Sequence, residues 1–167
     1  LQLDINIEVE TLSSLTEVSC MGMSSTVEHL KPENNQFGNP FGTEIALFRT
    51  SEGGMARMAV SWDTPGEGGE RGRIRTEKGT FFGKFQNGKK DHPPSAITRP
   101  PLPPGVAAGG HGGSHGYLMS EFVEAILLNR NPLVDVAQSL NMTVSGIVAH
   151  QSALMDGELM KIPQYAL

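Results

Sequence analysis

The sequence predicts an α+β domain: an open antiparallel β-sheet with helices packed on one face and the other face available for oligomerisation. Three observations carry that prediction. Two-residue alternation broken by glycine turns fills the middle of the chain, and 3.6-residue periodicity is confined to its end. Only two helical segments are present, too few to cover both faces of a sheet. The uncovered face must then meet water, another domain or another subunit.

The elements follow in order. Residues 1–15 (LQLDINIEVETLSSL) alternate at Leu1, Leu3, Ile5, Ile7 and Val9, which fits either a strand or a helix cut short. Glu17–Ser24 (EVSCMGMS) reads as a buried strand of small residues, and His29–Gly42, rich in Pro, Asn and Gly, as a loop. Thr43–Ser51 is apolar and β-branched, Glu52-Gly53-Gly54 turns, and Met55–Asp63 returns. In that return Met55, Arg57 and Ala59 alternate against Ala56, Met58 and Val60, the pattern of a hairpin. Thr64–Gly69 is a loop, Glu70–Thr76 a further strand, Lys78-Gly79 a turn and Thr80–Phe85 its partner, so the spacing predicts a continuous antiparallel meander.

Residues 91–106 hold six prolines and form an extended connection within what reads as a single domain, 1–167. The first helix is predicted over Leu118–Asn129, with Leu118, Phe122 and Ile126 on one face and a stop before Pro132. Asp135 is placed to cap a second helix running to about Met155. Its apolar face is read as Val136, Leu140, Val144, Ile147 and Val148. Gly157 sits where a helix C-terminus favours glycine, and Glu158–Ile162 is a last short strand that Pro163 confines to an edge.

Bulk properties narrow the function classes. A chain of 167 residues is long enough for one domain with a real core. A formal net charge of −5 argues against a nucleic-acid surface. The one cysteine, Cys20, excludes an internal disulfide framework and a cysteine zinc knuckle. No apolar run approaches the ~20 residues of a membrane span. The opening at Leu1, without methionine or a basic leader, reads as the beginning of a fragment, which leaves localisation open with the cytoplasm as default.

The segment Gly109-Gly110-His111-Gly112-Gly113-Ser114-His115-Gly116-Tyr117 is the candidate site. Glycine lets the backbone approach a ligand closely, a following helix offers unpaired N–H groups, and histidine moves protons near neutral pH. The spacing is not that of a dinucleotide fingerprint, and a Pro-rich run precedes it instead of a strand. His111 and His115 lack an adjacent carboxylate or cysteine, so a metal is not expected. Two readings stay open: a substrate-contacting loop with His111 as hydrogen-bond partner or proton donor, and a glycine-rich helix entry with solvated histidines.

Other features favour plainer roles. Arg71, Arg73 and Arg75 share a strand face, read as solvated rather than as a carboxylate-binding stripe. His150 reads as a satisfied boundary histidine. Trp62 beside Asp63 suits a sugar pocket, with structural packing of the indole as the stronger expectation. The run 100–104 (PPLPP) is a stiff spacer before it is a groove ligand.

The run from Thr43 through Phe82, with GGMARMAVSWD and GERGRIRTEKGTF, resembles the C-terminal domain of the Gfo/Idh/MocA family of NAD(P)-dependent oxidoreductases. The ending, EFVEAILLNRNPLVDV and SLNMTVSGIVAHQSALMDGELMKIPQY, is similar to that family's closing helix pair and final strand. GGHGG at 109–113 further resembles the branch containing the NAD-dependent α-N-acetylgalactosaminidases, where the loop histidine is associated with the sugar site. The match covers residues 16–167.

The resemblance implies a two-domain enzyme whose N-terminal Rossmann half binds NAD or NADP, with this half forming one wall of a sugar or polyol pocket. It implies a homo-oligomer through the open sheet face. His111 carries over as the site residue, with Gly110 and Gly112 as loop formers; His115 and Tyr117 join it by proximity. The family's nucleotide-binding glycine loop, its Glu-Lys-Pro segment and its histidine-bearing helix are absent here, and Leu1–Leu15 does not match. The chain alone is thus expected to hold no cofactor and to be inactive. Three functions follow: the pocket and oligomerisation domain of a sugar-type oxidoreductase, part of a redox-assisted glycosidase, or a non-catalytic sheet-mediated interaction module. No nucleic-acid or membrane partner is expected.

Overall fold

The structure is a computed structural model that describes residues 14–64, 73–75, 79–82, 85–88 and 101–167. They fall into two compact units. One joins the residues from Ser14 to Thr64 with Val136–Leu167; the other lies within Gly69–Asp135.

The first unit is an open antiparallel sheet. Its strands β1 (Leu15–Met23), β2 (Thr43–Thr50) and β3 (Met55–Ser61) are followed much later in the chain by the short β7 (Met160–Lys161), in spatial order β3-β2-β1-β7. The register sets Val18 opposite Phe48, Cys20 opposite Ala46 and Glu44 opposite Val60. Because side chains alternate along a strand, Val18, Cys20, Ala46 and Phe48 share one face. They form the core with Val148, Ala149 and Ala153 of helix α2 (Val136–Leu154) and with Ile162. The opposite face carries Met21, Met23, Ile45, Leu47 and Met55, all about half exposed or more.

The helix meets the sheet on small residues. Its buried positions are Ala137, Ser145, Val148, Ala149, Ser152 and Ala153, whereas Val136, Leu140 and Ile147 are exposed. Of the predicted apolar face, Val148 and, partly, Val144 reach the core. Periodicity picks out the largest side chains, but a helix lying close on a sheet is limited by volume and turns its alanines and serines inward.

Ser152 shows what holds that contact. β7 pairs with Glu17 and Val18 and ends there, so Cys20 lies beyond the reach of its ladder. The fully buried Ser152 hydroxyl accepts from Cys20 N–H at 2.9 Å and donates to the Glu158 carbonyl at 2.6 Å. Left unpaired, a buried group of this kind costs about 1–3 kcal/mol. The helix ends as expected at Gly157, whose φ of +85° and N–H to Ser152 carbonyl bond of 2.9 Å close the last turn.

The second unit contains strands β4 (Arg73–Arg75), β5 (Gly79–Phe82) and β6 (Phe85–Gly88), paired antiparallel in that order, and helix α1 (Gly110–Leu127). The predicted continuous meander is therefore interrupted: β3 and β4 belong to different sheets. Where the sequence predicts one strand over Thr80–Phe85, β5 ends at Phe82 and Phe85 starts β6. Arg75 is exposed; the side chains of Arg71 and Arg73, Leu1–Ser13 and residues 91–100 lie outside the described residues.

The first helix begins eight residues earlier than periodicity indicates, at Gly110 instead of Leu118. Its far end is clamped. Arg130 donates through both terminal nitrogens to the Glu121 carboxylate, at 2.6 and 2.9 Å, and the Leu133 N–H adds a third bond at 2.8 Å. These donors, Arg130 first, hold the Glu121 carboxyl down at about 2.

Candidate functional site

The Gly-His segment is not a loop. Residues 110–117 form the first two turns of α1, and glycine is used in them for two distinct reasons. Gly109, the N-cap, has φ +76° and ψ −163°, a backbone region open essentially to glycine alone. Gly116 is buried and donates its N–H to the Ala108 carbonyl at 2.7 Å. A Cβ there would stand 2.5 Å from the Ala107 carbonyl oxygen. The entering backbone thus lies against the helix at Gly116. This close approach offsets the poor helix propensity of glycine, about 1 kcal/mol per residue.

His111 and His115 are four apart on this helix, so their backbones lie one turn apart on the same side. The exposed His115 side chain lies beside Gly109 and Gly110: a Cβ on Gly109 would stand 3.1 Å from the His115 Cβ, and one on Gly110 3.1 Å from its Cε1. Gly110 opens the helix, Gly112 lies in its first turn and Tyr117, half-buried, in its second. His111 belongs to the first turn by its backbone; its side chain, with those of residues 112 and 113, lies outside the described ones. Among the described residues coil with a turn at Pro104–Gly105, not a strand, leads into the helix, unlike the strand–turn–helix entry of a dinucleotide pyrophosphate site.

A second histidine constellation stands in the four-stranded unit. His150 Nδ1 meets Glu44 Oε1 at 2.6 Å across the helix–sheet contact, with both side chains partly buried. The Phe41 ring approaches the imidazole edge-on at 6.1 Å and lies over Gly22, where any Cβ would collide with it. A carboxylate on Nδ1 makes that nitrogen the donor and, in the neutral ring, leaves Nε2 as a hydrogen-bond acceptor. The boundary role expected for His150 is present; its partner, 106 residues away, carries no local sequence signal. Burial, with the Glu44 charge second, pushes the neighbouring Cys20 thiol up.

One strand over, Asp63 ends the β3 hairpin arm. It accepts from Thr43 Oγ1 at 2.8 Å and Ser61 Oγ at 3.2 Å, and these hydroxyls, with that of Ser25, lower its pKa, Thr43 most. Trp62 departs from expectation: it does not pack, and is 78% exposed. Its N–H donates to the Gly42 carbonyl at 3.0 Å, so the backbone carrying the indole is fixed.

Among the described residues no group of three or more His, Cys, Asp or Glu is placed to hold a metal ion, and no helix is long and apolar enough to cross a membrane.

No protein family's sequence profile matches the chain, and no curated protein matches it in sequence. Solved structures do. Levoglucosan dehydrogenase in complex with NADH is similar with a TM-score of 0.61 at 13% identity, over 91% of this chain and 46% of that one. An oxidoreductase domain protein from Kribbella flavida gives 0.59 at 14% identity, over 91% and 47%. Scyllo-inositol dehydrogenase from Lactobacillus casei, with bound NAD(H) and scyllo-inositol, gives 0.57 at 13% identity, over 89% and 42%. These neighbours are Gfo/Idh/MocA-type oxidoreductases, and the chain spans under half the length of each. At such identities the likeness establishes a shared fold.

Proposed function

We propose that this chain is the C-terminal substrate-pocket and oligomerisation domain of a sugar- or polyol-oxidising NAD(P)-dependent oxidoreductase. The observation that carries the reading is the coverage: about nine-tenths of the chain matches under half of each of two sugar or cyclitol dehydrogenases. The nicotinamide is assigned to the remainder of such a parent, since the Gly-His segment does not suit a dinucleotide. Bound there, a nicotinamide would supply the hydride acceptor for a substrate carbinol.

In this reading His111, in the first turn of α1, hydrogen-bonds the substrate hydroxyl or exchanges its proton. Gly110 and Gly112 let the substrate approach the backbone, and His115 and Tyr117 border it. The exposed face with Met21, Met23, Ile45, Leu47 and Met55 is assigned to the contact with a second copy, because a solvent-facing apolar row of this kind suits an interface.

The test is NADH or NADPH formation by the intact parent with a panel of polyols and sugars. Turnover that falls on His111→Ala supports the reading; a parent that neither retains nor reduces nicotinamide across the panel refutes it. The GGHGG run at 109–113 favours a second reading, part of an NAD-dependent redox-assisted glycosidase. Aglycone release from aryl glycosides without net NADH would select it, and steady NADH accumulation with intact glycosides would reject it.

A further inference from the structure

We infer that the outward face of α2, the stripe Val136, Leu140, Ile147 and Leu154, is a contact between two copies of this chain, packed antiparallel about a two-fold axis at Ile147. It is a different face from the open sheet, on the far side of the helix, and it rests neither on the redox reading nor on the Gly-His segment.

Helix α2 is apolar on two sides. At about 100° per residue, Leu140, Ile147 and Leu154 fall within about 40° of one another, with Val136 among them. Ile147 stands roughly 140–160° round the helix from Ser145, Ala149 and Ser152, which are buried. Ile147 and Leu154 are about half exposed, Val136 more and Leu140 less. A helix that needed only the sheet would carry polar and charged residues on this side. Here the small residues face the sheet and the larger aliphatic ones face away from it, the arrangement of a helix held between two layers.

Three observations select a second copy as the occupant. The spacing is self-complementary, because Leu140 and Leu154 lie seven residues to either side of Ile147. A two-fold axis there sets Ile147 against its own counterpart and Leu140 against Leu154 of the partner subunit. Charge does not oppose the pairing: none of the 19 residues of α2 is Asp, Glu, Lys or Arg, and His150 is engaged with Glu44. Beside the stripe, Thr143 donates its hydroxyl to the Ser139 carbonyl at 2.8 Å, so it enters the contact with its hydrogen bond already made. The helix is about 28 Å long, which makes the seam small and the contact reversible.

Disulfide trapping in the full-length protein tests the contact, with the unsubstituted protein, whose Cys20 is buried, as background. Ile147→Cys forms a covalent dimer under mild oxidation. An equimolar mixture of Leu140→Cys and Leu154→Cys gives mainly the mixed dimer, because antiparallel register brings those two positions together. Sedimentation in a Leu47→Asp background, which breaks a contact through the open sheet face, reads this contact alone. There Ile147→Asp weakens self-association about tenfold or more, since like charges then face each other across the axis, and leaves the melting temperature unchanged. No covalent dimer above background in Ile147→Cys overturns the assignment. A preference for Leu140→Cys homodimers does so too, by setting the helices parallel. An Ile147→Asp protein that melts lower with its association unchanged also overturns it and gives the face to another part of the same molecule. NADH formation by the parent is a separate readout, so failure here leaves the redox reading standing.

Discussion

The two histidine-bearing regions are built on opposite plans. In the Gly-His segment the contacts among the described residues are close in sequence: His115 lies against Gly109 and Gly110, and Gly116 donates to the Ala108 carbonyl. Around His150 the partners come from afar, Glu44 on β2 and Phe41 before it, brought together by the docking of α2 on the sheet. The first region depends on what glycine permits the backbone to do; the second depends on a packed core. Substitutions should therefore damage them independently and by different mechanisms.

The largest effect is expected where the second region meets its core. Phe48 is buried between β2 and α2, and Phe48→Ala should lower the unfolding free energy by about 3–5 kcal/mol, read by urea denaturation. An unchanged denaturation midpoint would contradict the core described above. Next comes Gly116→Val, which sets a branched side chain against the Ala107 carbonyl. It should cost about 1–3 kcal/mol and speed amide exchange selectively over residues 110–117. Uniformly faster exchange would mean that the two regions are coupled after all.

Ser152→Ala is expected to cost about 1–3 kcal/mol by stranding the Cys20 N–H and the Glu158 carbonyl. Ser152→Thr, which keeps the hydroxyl, separates the lost bonds from the altered volume. The smallest effect is one of pH. Glu121 is held at about 2 by Arg130 and the Leu133 N–H, below the ordinary 4.5. Its folded pKa is depressed, so its contribution is complete above about 4.5 and is lost as pH falls towards 2. Carboxyl NMR titration should place Glu121 near 2 and, in Arg130→Ala, back in the usual carboxylate range. A titration unmoved by that substitution would remove the clamp from the account of how α1 ends.

Much of the fold is legible along the chain. The β2–β3 hairpin around Gly53-Gly54, the glycine that closes α2 and the short last strand follow from alternation and turn chemistry. Other features are not. The start of α1 is hidden because glycines that normally break a helix are here required by the close approach of residues 107–108. The apolar face of α2 is misread because Val136, Leu140 and Ile147 are larger than the alanines and serines that meet the sheet. The exposure of Trp62 is invisible in a residue type that usually packs.

The sequence by itself determined the fold class, the paired strands, the two helices and the glycine-rich stretch around His111, since each depends on neighbours a few residues apart. Tertiary structure alone decided which helix face is buried, that β4–β6 form a separate sheet, and that Glu44 reaches His150. Those outcomes turn on volumes and distances between elements far apart in the chain, for which local periodicity carries no information.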